Sequence, residues 1–135
     1  VAARFGAPQS LRAAIAAEPA LTAVDLGARL FGGVRSAVPV LPGTLVAAAL
    51  EAGPQGHDAL VAEAAALAAA ARAAGAPVLL PPAGDWVALA LRRLAERGLI
   101  ADRGGVSTPL AGAKPILAFN AAPLRQALER NPPTP

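Results

Sequence analysis

His57 is the only histidine in a chain of 135 residues, and no cysteine accompanies it. The side chains that could do chemistry are therefore few. A histidine general base needs a carboxylate to orient it. Asp58 stands next to His57, where its type and place predict a helix N-cap. His57 itself is expected as a solvated loop residue. The carboxylates Asp25, Glu51, Glu63, Asp85, Glu96 and Asp102 are scattered along the chain and suit caps or exposed faces. Serine and threonine are scarce, and none lies in a G-x-S-x-G turn. Gly32-Gly33 and Gly104-Gly105 belong to neither a G-x-G-x-x-G nor a G-K-[ST] run, the patterns that cradle phosphate. No catalytic set, cofactor site or metal site can be assembled from these residues. The lack of cysteine excludes disulfides, thiol catalysis and cysteine-held zinc.

Arg92, Arg93, Arg97 and Arg103 form the densest basic group. Arg92, Arg93 and Arg97 are the candidate anion or phosphate contacts. Their surroundings read as a helix followed by a glycine-tipped hairpin. That is the outline of a winged helix, in which a helix enters the major groove and the wing touches phosphate. Cations near a helix C-terminus have a simpler role, since each interacts favourably with the macrodipole by about 0.3–1 kcal/mol. Glu96 also dilutes the positive field. The net charge of +3 is mild for a pI near 11, so a polyanion-binding surface is not expected. Eleven of the twelve basic residues are Arg, with Lys114 the exception. With so much Ala, Gly and Pro, that excess reads as codon bias rather than anion recognition.

The elements that must position these groups are mostly helices. Ser10 caps a short helix to Ala17, which Pro19 stops. Leu21 to Ser36 reads as a second helix with Val24, Leu26, Leu30, Phe31 and Val34 in a rough stripe, weakened by Gly32-Gly33. Thr44 is expected to cap a third helix, Leu45 to Ala52, with Gly53 as its left-handed stop. Asp58 caps the longest, Ala59 to Ala74. Asp85 caps Trp86 to Arg97, whose stripe is Trp86, Leu89, Ala90 and Leu94. Gly98 is expected to hold a positive φ just beyond it. Leu99–Ala101 and Val106–Thr108 read as strands around Gly104-Gly105. Pro115–Phe119 reads as a third strand, and Pro123–Arg130 as a last short helix.

The fold class that follows is mainly α: a compact helical domain with a small β-hairpin, winged-helix-like, near the C-terminus. Alanine is the commonest residue and aromatics make up 3%. Small side chains remove little apolar area each. Phe5, Phe31, Trp86, Phe119 and the leucines are therefore expected to carry the burial, with Trp86 largely enclosed. Mean hydropathy is +0.48, yet no run reaches the roughly 20 apolar residues of a spanning helix.

Three segments resemble a known family. RFGAPQSLR, Arg4 to Arg12, is similar to the "RFGEPxSLR" segment of bacterial-type glycerol-3-phosphate acyltransferases. LGARLFGGVRSAVPVLPGTLVAAAL is similar to that family's "LAxxVxxRINxxTPVxPxxLVxxALL", with Pro39, Val40, Pro42, Leu45, Val46, Ala49 and Leu50 matching as they stand. ILAFNAAPLRQAL is similar to its closing "LxYYRNxxxHxL", more loosely. Order and spacing agree, and the segments bracket nearly the whole chain. The departures fall on Ala7, Ala13, Arg35, Asn120, Ala122 and Gln126, where polar family residues are replaced or displaced.

The resemblance implies acyl transfer from acyl-CoA or acyl-carrier protein to glycerol 3-phosphate, the first step of phospholipid synthesis. The family's His–x4–Asp block and glycerol-phosphate-binding blocks precede its RFG segment and have no counterpart here, so no catalytic residue carries over. The expectation is a C-terminal region: residues 1–9 as the last strand and turn of an absent acyltransferase domain, 10–130 as a helical domain, and 131–135 as a frayed tail. The implied partners are that absent domain and a membrane surface, and the implied location is the cytoplasmic face of the inner membrane. A winged-helix DNA-binding module, or a helical interaction or lipid-surface protein without enzymatic ancestry, remains open beside it.

Overall fold

A computed structural model describes residues 8–82 and 84–130. The expected strand and turn over Val1 to Ala7 and the tail 131–135 lie outside these residues. The contacts divide the chain into two compact units, Val1–Val38 and Pro39–Pro135.

The first unit holds α1 (Leu11–Ala17) and α2 (Ala23–Ala37). Ser10 caps α1 as expected, its hydroxyl accepting the Ala13 N–H at 3.2 Å. The chain leaves the helix at Glu18, because Pro19 disfavours a helical conformation in the residue before it. α2 begins with a capping box: Thr22 Oγ1 accepts the Asp25 N–H at 3.2 Å and Asp25 Oδ2 accepts the Thr22 N–H at 3.1 Å,. Asp25 is held below the usual carboxylate range, chiefly by the Thr22 hydroxyl and then by the Thr22 N–H. The helix runs through Gly32-Gly33 without a break. Neither helix contains a buried residue. Phe31 is 69% exposed, contrary to the expectation that it carries burial; it shares an open face of α2 with Val24 and Val34.

The second unit runs α3 (Pro42–Glu51), β1 (Gln55–Gly56), α4 (His57–Ala73), α5 (Trp86–Glu96), β2 (Ile100–Arg103), β3 (Val106–Pro109) and α6 (Lys114–Arg130). The three strands form an antiparallel sheet in the order β1-β3-β2. Helix, strand, two helices and a hairpin, with the first strand paired to the last, is the arrangement of a winged helix. The mainly α reading with a small hairpin therefore holds. β2 and β3 turn through Gly104 and Gly105, which both have positive φ and join the directly paired Arg103 and Val106. A two-residue loop of that kind matches the right-handed twist of its strands. Asp102 Oδ1 accepts the Gly105 N–H at 2.8 Å and ties the turn.

α3 lies at the centre. It buries Thr44, Leu45, Val46, Ala47, Ala49 and Leu50 and packs on α4, α5 and α6. Pro42 starts it, since proline at the first helical position loses no hydrogen bond. Thr44 is therefore an interior, buried residue and not the cap. α4 likewise starts earlier than expected, at His57 rather than Ala59, with Gly56 as N-cap and Asp58 inside the first turn. Its inner face is Leu60, Ala64, Ala68 and Ala71, small enough to bring backbones close. α4 and α5 end alike. The Ala76 N–H reaches the Ala71 carbonyl and the Leu99 N–H the Leu94 carbonyl, at 2.9 and 3.0 Å, around Gly75 and Gly98. These are Schellman closures, and Gly98 has the expected positive φ of 66°.

The core is aliphatic. Leu45, Leu50, Leu60, Leu117 and Leu124 are its largest fully enclosed side chains, each worth about 1.5–3 kcal/mol of burial. Trp86, the first residue of α5, is only partly buried against the core; Val87, Ala90 and Leu94 are the inner face instead, and Leu89 is exposed. Pro115–Phe119 is not a strand. It belongs to α6, which continues through Pro123 on a stripe of buried Ala113, Leu117, Ala121, Leu124 and Ala127. That stripe leaves Phe119 78% exposed. The third strand is β1, before α4. Arg125 fastens α6: it donates to both Glu51 oxygens at 2.8 and 2.6 Å and to the Ala118 carbonyl at 2.5 Å.

Candidate functional site

One cleft in the second unit brings together Arg93, Glu96, Arg97 and Asn120. It forms because the chain after α4 folds back along the start of α3. The Val40 N–H donates to the Pro77 carbonyl at 2.7 Å and the Leu79 N–H to the Val40 carbonyl at 3.0 Å, a short parallel bridge between Val40 and Val78. That bridge lays Leu79, Leu80 and Pro81 beside Leu41, Pro42 and Gly43 as one wall. α5 supplies the opposite side. Buried Thr44, Ala90 and Leu94 line it from within. Leu89, Arg93, Glu96 and Arg97 line it from exposed positions, and Asn120 enters from α6. The volume is about 670 Å³, within the range of roughly 300–1,000 Å³ that small-molecule sites occupy.

The walls are apolar and incompletely covered. Leu41, Leu79 and Leu89 all count among the exposed large hydrophobic residues, and all three face this one cleft. The polar groups are unsatisfied as well. Arg93 and Arg97 have no carboxylate partner among the described residues. Glu96 stands unpaired between them on the same side of the cleft. Asn120 Nδ2 is buried without a hydrogen-bond acceptor, a state that costs about 1–3 kcal/mol.

Of the three arginines singled out by sequence, Arg93 and Arg97 line the cleft and Arg92 does not. Arg92 is exposed, one residue round the helix from Arg93. Arg103 lies at the end of β2, beside the hairpin turn. Asn120 escaped the sequence reading because only the return of α6 onto α3 brings it here. Its one signal is a polar residue beside a helical stripe of buried Ala113, Leu117 and Ala121.

His57 is not a loop residue. It starts α4, and its Nε2 lies 3.0 Å from Asp85 Oδ2. Asp85 also accepts the Ala88 N–H at 2.9 Å as the N-cap of α5. Its carboxyl is held below the usual range, first by that N–H and secondarily by His57. The pair joins the beginnings of two helices, and both side chains are nearly half exposed. Among the described residues no group of three or more His, Asp or Glu side chains converges that could hold a metal. No helix among them is long and apolar enough to cross a membrane.

Comparison with known protein families, with curated proteins and with solved structures finds no match for the chain.

Proposed function

We propose that the chain is a non-catalytic helical portion of a glycerol-3-phosphate acyltransferase-like protein, scaffolding a catalytic domain at the cytoplasmic face of a membrane. One observation carries this reading. The matching residues of the second segment lie on α3 and the chain just before it, the third segment lies on α6, and these two helices pack on each other more extensively than any other pair. The matching residues Val40, Leu45, Val46, Ala49 and Leu50 are all core residues, and Leu117 of the third segment is enclosed in the same cluster, with Leu128 packed against it. The likeness thus lies in residues that hold a fold together, not in a catalytic set. The open Val24, Phe31 and Val34 face of α2 is the surface this reading assigns to the catalytic domain.

The chain alone, given acyl-CoA or acyl-carrier protein and glycerol 3-phosphate, is expected to show no acyl transfer, and measurable turnover overturns the scaffold role. Sequencing the reading frame that encodes the chain tests the family itself. A His–x4–Asp block ahead of the RFG segment is expected, and a frame without one ends the acyltransferase reading.

A winged-helix nucleic-acid-binding module is favoured by the strand order and by the helix-then-hairpin layout. The chemistry of α5 argues against it. The first turns of the groove-entering helix normally meet the bases, and here they carry Trp86, Val87, Ala88 and Leu89 behind the Asp85 carboxylate. The cations come at the far end. An electrophoretic shift is expected to be absent even at low salt, where phosphate contacts are strongest; a shift that weakens as salt rises would move the conclusion to this second reading.

A further inference from the structure

We propose that the cleft between α3, α5 and the 77–82 segment binds a single-chain anionic amphiphile, a medium-chain fatty carboxylate. Arg93 and Arg97 hold the head, and Leu41, Leu79 and Leu89 cover the chain. The first ground is charge complementarity. Two guanidiniums without partners face one carboxylate, Glu96, so the cleft carries a net positive charge. A guanidinium offers a carboxylate two parallel N–H bonds. The second ground is uncovered apolar area. Three exposed leucines converge on one concavity, where water gains nothing and an alkyl chain would remove it.

Asn120 also lines the cleft, but its Nδ2 is fully covered, so the head is left to the two guanidiniums. Together these groups select a molecule with both an acidic oxygen-bearing head and an apolar body. The concave shape and the volume of about 670 Å³ suit one chain rather than the flat surface of a bilayer. Binding here rests on the cleft alone and is independent of the acyltransferase reading. Its failure would leave the scaffold role intact, and acyl turnover by the chain would leave the cleft intact.

The test is calorimetric titration of the full chain with laurate, held below its micelle-forming concentration, beside dodecanol and acetate. Laurate is expected to bind saturably at a single site, dodecanol more weakly, and acetate not measurably. The double variant Arg93→Gln/Arg97→Gln is expected to weaken laurate by about tenfold or more, as loss of charged hydrogen bonds does, and to leave dodecanol unchanged. Leu89→Asp is expected to abolish both. All three positions are exposed, and an unchanged far-ultraviolet circular dichroism spectrum checks the fold. The side-chain amide signals of Asn120 are expected to shift with laurate in nitrogen-resolved NMR spectra. Equal affinity for laurate and dodecanol, an arginine variant that binds like the wild type, or uptake only above the micelle threshold would each overturn the proposal.

Discussion

Thr22 and Asp25 give α2 a reciprocal cap at its start, while Leu41 before α3 offers no side-chain oxygen to its first N–H groups. By local signals α2 is the better helix. By burial the ranking inverts: α2 encloses nothing and α3 encloses six residues. Capping satisfies a few backbone groups and decides where a helix starts. It does not supply the apolar area that holds the helix in a fold. α3 can dispense with a side-chain cap because Pro42 has no N–H to satisfy, because the Thr44 N–H returns to the Leu41 carbonyl at 3.0 Å, and because three other helices pack on it.

The largest test of this contrast is a matched pair of truncations. Leu50→Ala in α3 is expected to cost about 2–5 kcal/mol in urea unfolding. Leu30→Ala in α2, where the side chain is 45% exposed, is expected to stay within about 0.5 kcal/mol. Equal losses would break the comparison. Next comes overpacking. Ala68→Leu, on the small-residue face of α4, is expected to cost about 1–3 kcal/mol, read from the unfolding midpoint. A neutral result would mean that α4 stands further from its neighbours than its buried alanines imply. Gly98→Ala meets no atom within 4 Å, so its cost comes from the positive φ alone, about 1–2 kcal/mol. Asn at the same position should recover part of that loss.

At the small end, Thr22→Ala is expected to lose about 1 kcal/mol of helix stability locally. Faster amide exchange in the first turn of α2, with none in α3, is the readout. Acid should act on the same caps. Asp25 and Asp85 have carboxyls held below their ordinary values. Their contribution is therefore complete above the ordinary carboxylate pKa and is lost as pH falls through the depressed one. Asp85→Asn and Thr22→Ala should each flatten part of that acid limb, which a pH series of melting temperatures would reveal.

How much was legible follows the same division between local and tertiary causes. Ser10, Asp85, Gly98 and the Gly104-Gly105 turn act on backbone groups within a few residues, and their types name their roles. The mainly α class with a hairpin follows from them. β1 was not legible: two residues, Gln55 and Gly56, become a strand only because Ser107 and Val106 pair with them. α6 was not legible as one helix: Pro115–Phe119 reads as a strand and Pro123 as the start of a separate helix, although the buried stripe from Ala113 to Ala127 runs through both. The aromatic residues misled for a related reason. The second unit's core is built of alanine, leucine and valine and leaves Phe119 outside it, while Phe31 lies on a helix of the first unit that has no buried residue. Of the cleft, the arginines were visible as a cluster. Asn120, the folded-back 77–82 segment and the His57–Asp85 contact depend on residues that only the folded chain brings together.

The pairing of β1 with β3 also bears on how the second unit assembles. The β2–β3 hairpin closes over two glycines, an event of about 1–10 μs. Joining β1 to β3 must close a loop that contains all of α4 and α5, and the entropy of closure rises with loop length. A strand of two residues offers few hydrogen bonds in return. The third strand should therefore add late, after α4 and α5 have docked on α3. Its amides should exchange with solvent sooner than those of the hairpin, so that the sheet records the order in which the helices arrive.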